Sequence, residues 1–287
     1  MRLPAQLLYR NKNAHKASFG HILLLAGSAR FSGAAVLCAK AAMRAGAGLV
    51  TIGIPKSLNT AIIKIKPAEV MTLPLTETKE LTLSSKAFKK ISDFAKKADV
   101  LVIGPGLSQN KSTQRLIRKV IMAVDKPMVI DADGLNALIG NLNILRGTRY
   151  AVRGTILTPH PGEMARLLGV NVANIQNKRK EIAQEFARDY GLTLVLKGNH
   201  TIVADRKKHL FKNTTGNPGM ASAGSGDVLS GIIAAFLGQG LAPFTAAKYG
   251  VFLHGLAGDL AAKEKTQIAL IASDIIEKIP AAIKRCS

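Results

Sequence analysis

Tryptophan is absent from this chain, cysteine occurs twice, and Asp and Glu together number 18 against 40 Lys and Arg. Each scarcity excludes something. Cys38 and Cys286 lie at opposite ends with no metal-type spacing, and Cys38 falls in an apolar helical stretch as a core residue. That usage fits a reducing cytoplasm. Aromatics make up 5% of residues, and none interleave with the basic runs Lys89–Lys90, Lys96–Lys97, Lys178–Lys180 and Arg206–Lys208. Specific nucleic-acid binding therefore lacks its stacking residues. The net charge of +22 is left to weak, salt-sensitive adhesion, to a generally basic proteome, or to attraction of a polyanion such as a nucleotide. The N-terminus has no long apolar run, so no secretory signal is expected. One uncharged stretch, Val228 to Ala247, is long enough to span a bilayer, yet Gly238, Gln239, Gly240 and Pro243 divide it into two buried helices. No membrane association is expected. Also missing are GxxxxGK[ST], a strand-linked GxGxxG, HExxH and GxSxG, which sets aside P-loop NTPases, Rossmann dehydrogenases and serine hydrolases.

What is present is a pattern of short apolar runs alternating with amphipathic segments. Strands are expected at His21–Ala26, Leu49–Ile54, Val100–Gly104, Pro127–Asp131, Thr155–Thr158, Leu192–Lys197 and Thr201–Ala204. Helices are expected at Gly33–Ala47, Ser84–Lys97, Ser112–Ala123, Gly162–Leu168, Ile175–Tyr190, Asp227–Leu237, Thr245–Lys263 and Ser273–Arg285. Runs such as VLVIG and PMVID are apolar at nearly every position, as in strands covered on both faces. The alternation predicts an α/β fold, a mainly parallel sheet with helices on both faces. No linker or repeat divides residues 1–287, so one domain is expected, and the polar interval near Thr76–Lys90 reads as a surface connection.

Ligands of such sheets gather beyond the carboxyl ends of the strands. Five polar or glycine-rich turns fall there: AGSARFSG, GPGLS, DADGLN, TPHPGE and KGNH. The densest motif is NTTGNPGMASAGSGDVL, Asn213 to Leu229, which opens into the apolar helical face Val228, Leu229, Ile232, Ile233, Phe236 and Leu237. A glycine loop at a helix start offers free N–H groups and the positive end of the dipole to an anion. Asp227 either faces the reacting group there or simply caps the helix. KGNHT, Lys197 to Thr201, reads as a tight hairpin, or as a border to nucleotide phosphates. In TPHPGE, Glu163 either complements the dipole or holds Mg²⁺ through water, and His160 is either structural or positions a substrate or takes part in proton transfer. Asp131 and Asp133 either hold metal-linked water or cap the following helix.

Taken in order, AGS…GA, GPGL, DADGLN, TPHPGE, LKGxxT and GNPGMASAGSGDVLSG resemble the ADP/ATP-dependent NAD(P)H-hydrate dehydratases, ribokinase-like proteins that repair hydrated nicotinamide cofactors. The likeness runs from about Gly20 to Ala262. It implies phosphorylation of the hydroxyl of NADHX or NADPHX by ADP or ATP, then elimination of phosphate to restore NADH or NADPH, with AMP left if ADP is the donor. Mg²⁺ would assist. Gly224, Ser225 and Gly226 would form the anion hole and Asp227 would be the base. Lys197, Gly198, Asn199, His200, Thr201 and Gly226 would meet the adenine nucleotide, while Ala34, Gly106, His160 and Asp227 would meet the hydrate. TPHPGE is similar to the TPNxxE of related small-molecule kinases, which implies the Mg²⁺-linked role for Glu163. Relatives also imply a homotetramer. The epimerase domain that some relatives carry in front is not seen, so dehydratase activity alone is expected. Ser225 stands where Thr is common, Ser108 where Gly is common, and Phe31–Ser32 where a Tyr-containing pair is frequent; substrate tuning at most is expected from them. A ribokinase-like kinase of a vitamin or small alcohol, and a nucleotide-binding protein without turnover, are the alternatives.

Overall fold

The computed structural model describes residues 1–146 and 154–287. Its sheet runs in the order β3-β2-β1-β4-β5-β6-β7-β8-β9. The strands are β1 His21–Leu25, β2 Leu49–Pro55, β3 Met71–Leu75, β4 Val100–Ile103, β5 Met128–Ile130, β6 Thr155–Leu157, β7 Thr193–Leu196, β8 Ile202–Asp205 and β9 Leu210–Lys212. Pairing is parallel from β3 through β7, while β8 and β9 add antiparallel. Helices α1 (Ser32–Arg44), α2 (Asn59–Ile65), α3 (Phe88–Ala95), α4 (Lys111–Ala123), α5 (Pro161–Leu168), α6 (Arg179–Asp189), α7 (Ser225–Gly238), α8 (Pro243–Lys265) and α9 (Ala272–Arg285) surround it.

Side chains alternate across each strand, so the continuous apolar runs feed two cores. Ile22, Leu24, Val100 and Val102 face the layer of α1, α7, α8 and α9. Leu23, Leu25, Leu101 and Ile103 face the layer of α3, α4, α5 and α6. On the first side α7 presses close to α1. A Cβ on Gly231 would collide with the Cys38 carbonyl and lie 3.0 Å from Ala41 Cβ. The small residues of α1 make that approach possible.

The chain builds outward from β1 to β3, then returns to place β4 on the other side of β1. After β1 the chain enters α1 on one face, and after β4 it enters α4 on the other. In open parallel sheets the ligand crevice lies at such a reversal of strand order. Two turns meet there: Gly27 donates its N–H to Pro105 O (2.8 Å) and Ser28 Oγ to Gly106 O (2.7 Å).

All seven expected strands and the alternating order are present. The uncharged stretch divides as expected, with α7 ending at Gly238 and α8 opening at Pro243. No described helix is long and apolar enough to cross a membrane. Three expectations need correction. β3 and β9 were not foreseen; β3 contains Pro74, which an edge strand tolerates because one side of its backbone is unpaired. The helix expected over Ile175–Tyr190 is two, Val172–Asn177 and α6, broken at Lys178 with φ −125° and ψ 33°. The interval near Thr76–Lys90 is not merely surface, since Thr82, Leu83 and Ser84 are buried and Thr82 Oγ1 lies 2.8 Å from Thr113 Oγ1.

Candidate active site

The glycine motif ends at the first turn of α7. Gly224 is the N-cap, in the left-handed region at φ +87°, and no side chain caps the helix. A Cβ at Gly224 would press on Leu37 Cδ1, which a turn of that side chain can relieve, so it is the backbone angle that calls for glycine there. Ser225 N–H is spent on Ser222 O (3.3 Å), whereas those of Gly226 and Asp227 find no acceptor among the described residues. Unpaired amides at the positive end of a fourteen-residue helix form a ready anion site. Asp227 is not the cap. It sits on the first turn, partly exposed, with no hydrogen bond or ion pair among the described residues.

Beside this turn lies a charged cluster drawn from three other strand ends. Lys197 Nζ donates to Asp131 Oδ1 at 2.8 Å and stands 3.7 Å from Glu163 Oε2. Asp131 Oδ2 accepts from Ser230 Oγ of α7 at 2.9 Å. The position a Cβ of Gly226 would take is 3.3 Å from Lys197 Nζ and 3.6 Å from Asp131 Oδ2, so this glycine places the free amides against the cluster. Burial works to lower the Lys197 pKa, but Asp131 and Glu163 outweigh it and hold the ammonium above the ordinary lysine range. Asp227 moves the other way. Burial, reinforced by the negative charge of Asp131, pushes its carboxyl up to about 7 against the opposing pull of Lys197. A carboxyl poised near neutrality at an anion-binding turn suits a general base.

Asp131 and Asp133 correct the reading of either as a helix cap. Asp131 pairs with Lys197 and Ser230, while Asp133 accepts from Ser108 N (2.7 Å) and Asn136 Nδ2 (3.0 Å). His160 is the N-cap of α5. Its Nδ1 accepts from Gly162 N (3.0 Å) and Glu163 N (3.3 Å), while Glu163 Oε2 accepts from His160 N (2.7 Å). The imidazole thus fills the capping role that a short polar side chain usually takes. Burial lowers its pKa despite Glu163, so it is neutral with Nδ1 committed and Nε2 turned to Glu163 Oε1 at 3.5 Å. At the crevice, a Cβ on Gly106 (φ +63°) would fall 2.6 Å from Phe31 O and 3.1 Å from Ala34 Cβ, which puts Ala34 and Gly106 in one patch with exposed Phe31. The KGNHT turn is the hairpin between β7 and β8, with Gly198 at φ +129° and His200 at φ +52°. Lys197 reaches into the cluster, while Gly198, Asn199 and His200 are exposed at the tip and Thr201 Oγ1 donates to Gly198 O.

The family model described as NAD(P)H-hydrate dehydratase matches residues 22–281. The chain belongs to the NAD(P)H-hydrate dehydratase family. It is 38% identical over 284 residues to the ADP-dependent (S)-NAD(P)H-hydrate dehydratase of Neisseria meningitidis serogroup B, covering 96% of this chain and 88% of that one. It is 45% identical over 276 residues to a bifunctional NAD(P)H-hydrate repair enzyme of Moorella thermoacetica, covering 96% of this chain and 51% of the relative. The chain thus spans about half the length of the bifunctional relatives it matches. Among solved structures, the Bacillus subtilis ADP/ATP-dependent NAD(P)H-hydrate dehydratase co-crystallised with ATP/Mg²⁺ superposes with TM-score 0.84 at 33% identity, over 100% of this chain and 95% of that one. The fold is the expected ribokinase-like one.

Within that family frame, the donor set decides how a cation would be held. No group of three or more His, Cys, Asp or Glu side chains among the described residues could cage a metal. Glu163 and Asp131 already have oxygens engaged, which suits a Mg²⁺ that arrives on phosphate oxygens and keeps its waters. Two buried groups escaped the sequence reading. Ser230 braces Asp131, and His254 of α8 sets Nε2 3.4 Å from Ser225 Oγ. Burial lowers the His254 pKa to about 4, so a neutral imidazole supports the anion turn from below. Ser230 closes the glycine motif but sits on its apolar helical face, and nothing in the local sequence of His254 distinguishes it.

Proposed function

We propose that this chain dehydrates (6S)-NADHX and NADPHX using ADP or ATP. The single observation behind this is the pairing at the start of α7: unpaired amides at Gly226 and Asp227 beside a carboxyl pushed up to about 7. In this reading the terminal phosphoryl group rests on the Gly224–Gly226 turn, which spreads its developing charge over the amides and the dipole. Asp227 takes the proton of the hydrate hydroxyl. The hydroxyl oxygen of the hydrate then forms the new bond to phosphorus as the bond to the nucleotide oxygen breaks, leaving AMP if ADP is the donor. Phosphate leaves the ring carbon with the C–O electron pair, the neighbouring ring carbon gives its proton to that phosphate or to water, and the C–H pair becomes the double bond of NADH or NADPH.

Ala34, Gly106 and His160 line the approach of the hydrate, and Lys197 to Thr201 with Gly226 border the nucleotide. Lys197, held near the amides by Asp131, meets the incoming phosphates with positive charge. Mg²⁺, when bound, neutralises phosphate charge, and Glu163 would hold it through water. The reading includes a cytoplasmic setting, consistent with two buried free thiols, and assembly as a homotetramer.

Product analysis separates this reading from its relatives in chemistry. With authentic hydrate, Mg²⁺ and nucleotide, phosphorus NMR is expected to show one inorganic phosphate per nicotinamide restored. A stable phosphate ester would instead mark a kinase, and bound nucleotide without any product would mark a binding protein.

A further inference from the structure

The basic run Lys178–Lys180 takes no part in the site described above, and it stands where helix electrostatics disfavour it. Lys178 is the N-cap of α6 without a side-chain cap, and Arg179 is the first helical residue. Cations there face the positive end of the dipole. The Arg179 side chain accounts for the position. Its Nη2 donates to Leu196 O (3.1 Å) and to Lys197 O (3.1 Å), and its Nη1 donates to Asn199 O. All three carbonyls belong to the end of β7 and the hairpin that follows. The backbone there is one that side chains rarely adopt, with Gly198 at φ +129° and His200 at φ +52°. A Cβ on Gly198 would lie 3.1 Å from Arg179 Nη2, so the glycine is also what lets the guanidinium in. Among the described residues Arg179 has no carboxylate partner, and its Nε is buried without an acceptor. A planar fork that bridges three carbonyls is something a lysine cannot reproduce.

We infer that Arg179 is the positioning residue of the nucleotide site, its guanidinium holding the Leu196–His200 turn in the shape that receives ADP or ATP. The inference rests on the reading of Lys197–Thr201 as the nucleotide's border. It also explains the helix break at Lys178: α6 starts where Arg179 can reach the hairpin rather than where a capping residue stands.

The test compares wild type, Arg179→Lys and Arg179→Met by calorimetric titration with ADP and ATP, steady-state kinetics and thermal unfolding. Arg179→Met is expected to raise nucleotide Kd and KM about tenfold, equivalent to about 1.4 kcal/mol. The hydrate KM, and kcat at saturating nucleotide, should stay within about twofold of wild type. Arg179→Lys should recover only part of the loss, because it keeps the charge and loses the fork. If Arg179→Met does not fold, a raised nucleotide KM in Arg179→Lys carries the inference and an unchanged one refutes it. Nucleotide affinity at the wild-type level in folded Arg179→Met sinks this inference alone. So does a joint loss of kcat, both KM values and Tm, which marks a merely structural residue. Wild-type protein that binds no nucleotide sinks the functional reading and this inference with it.

Discussion

Replacing Asp227 by Asn is expected to stop turnover and, at the same time, to stabilise the protein. The carboxyl has its pKa pushed from the ordinary 3.8 to about 7 by burial and by Asp131. The native state therefore binds this proton more tightly than the unfolded chain does. Between about pH 4 and pH 7 the native state loses stability as pH rises, and above pH 7 the full penalty is present. At about 1.4 kcal/mol per pH unit the penalty is at most about 4 kcal/mol; discounted for the partial exposure of the carboxylate it is about 2 kcal/mol. Asn cannot ionise and escapes it. Thermal unfolding of the two proteins at pH 5, 6, 7 and 8 checks this directly. Asp227→Asn should melt about 3 °C above wild type at pH 8, with the difference shrinking towards pH 5. In parallel, wild-type kcat/KM should rise about tenfold from pH 6 to pH 8 as the base of the free enzyme ionises, while the variant stays inactive. A variant that melts below wild type at pH 8, or keeps more than a few per cent of turnover, would refute the reasoning.

Two further changes probe the frame around the site. Ser108 holds φ +77° without being glycine, so Ser108→Gly is expected to stabilise by about 0.5–1 kcal/mol with activity retained, read as a small rise in Tm. Gly231→Ala gains about 1 kcal/mol of helix propensity but drives a Cβ into the Cys38 carbonyl. That collision costs about 3 kcal/mol and wins, so Tm should fall and urea unfolding should shift to lower concentration.

Much of this architecture was legible because strands buried on both faces announce themselves as unbroken apolar runs, and the turns that end them carry the polar residues. Strand order was not legible. The crevice between β1 and β4 depends on the chain reversing after β3, a strand that Pro74 disguised. The break at Lys178 carries no Gly or Pro to announce it. In the site, the glycine motif and Asp227 could be read locally because the loop and its carboxylate are contiguous. The pairing of Asp131 with Lys197 and Ser230 could not, since the partners lie 66 and 99 positions away. Ser108, read as substrate tuning, turns out to sit at a backbone angle that favours glycine. His160, read as structural or as a substrate contact, proves to be the N-cap of α5.

The most direct measurement of the central claim is the absorbance of the reduced nicotinamide band when folded protein meets authentic NADHX, Mg²⁺ and ADP or ATP. The account predicts recovery of that band, dependent on nucleotide, matched by phosphate release and lost in Asp227→Asn. No recovery with either nucleotide, or equal recovery in the variant, would contradict it.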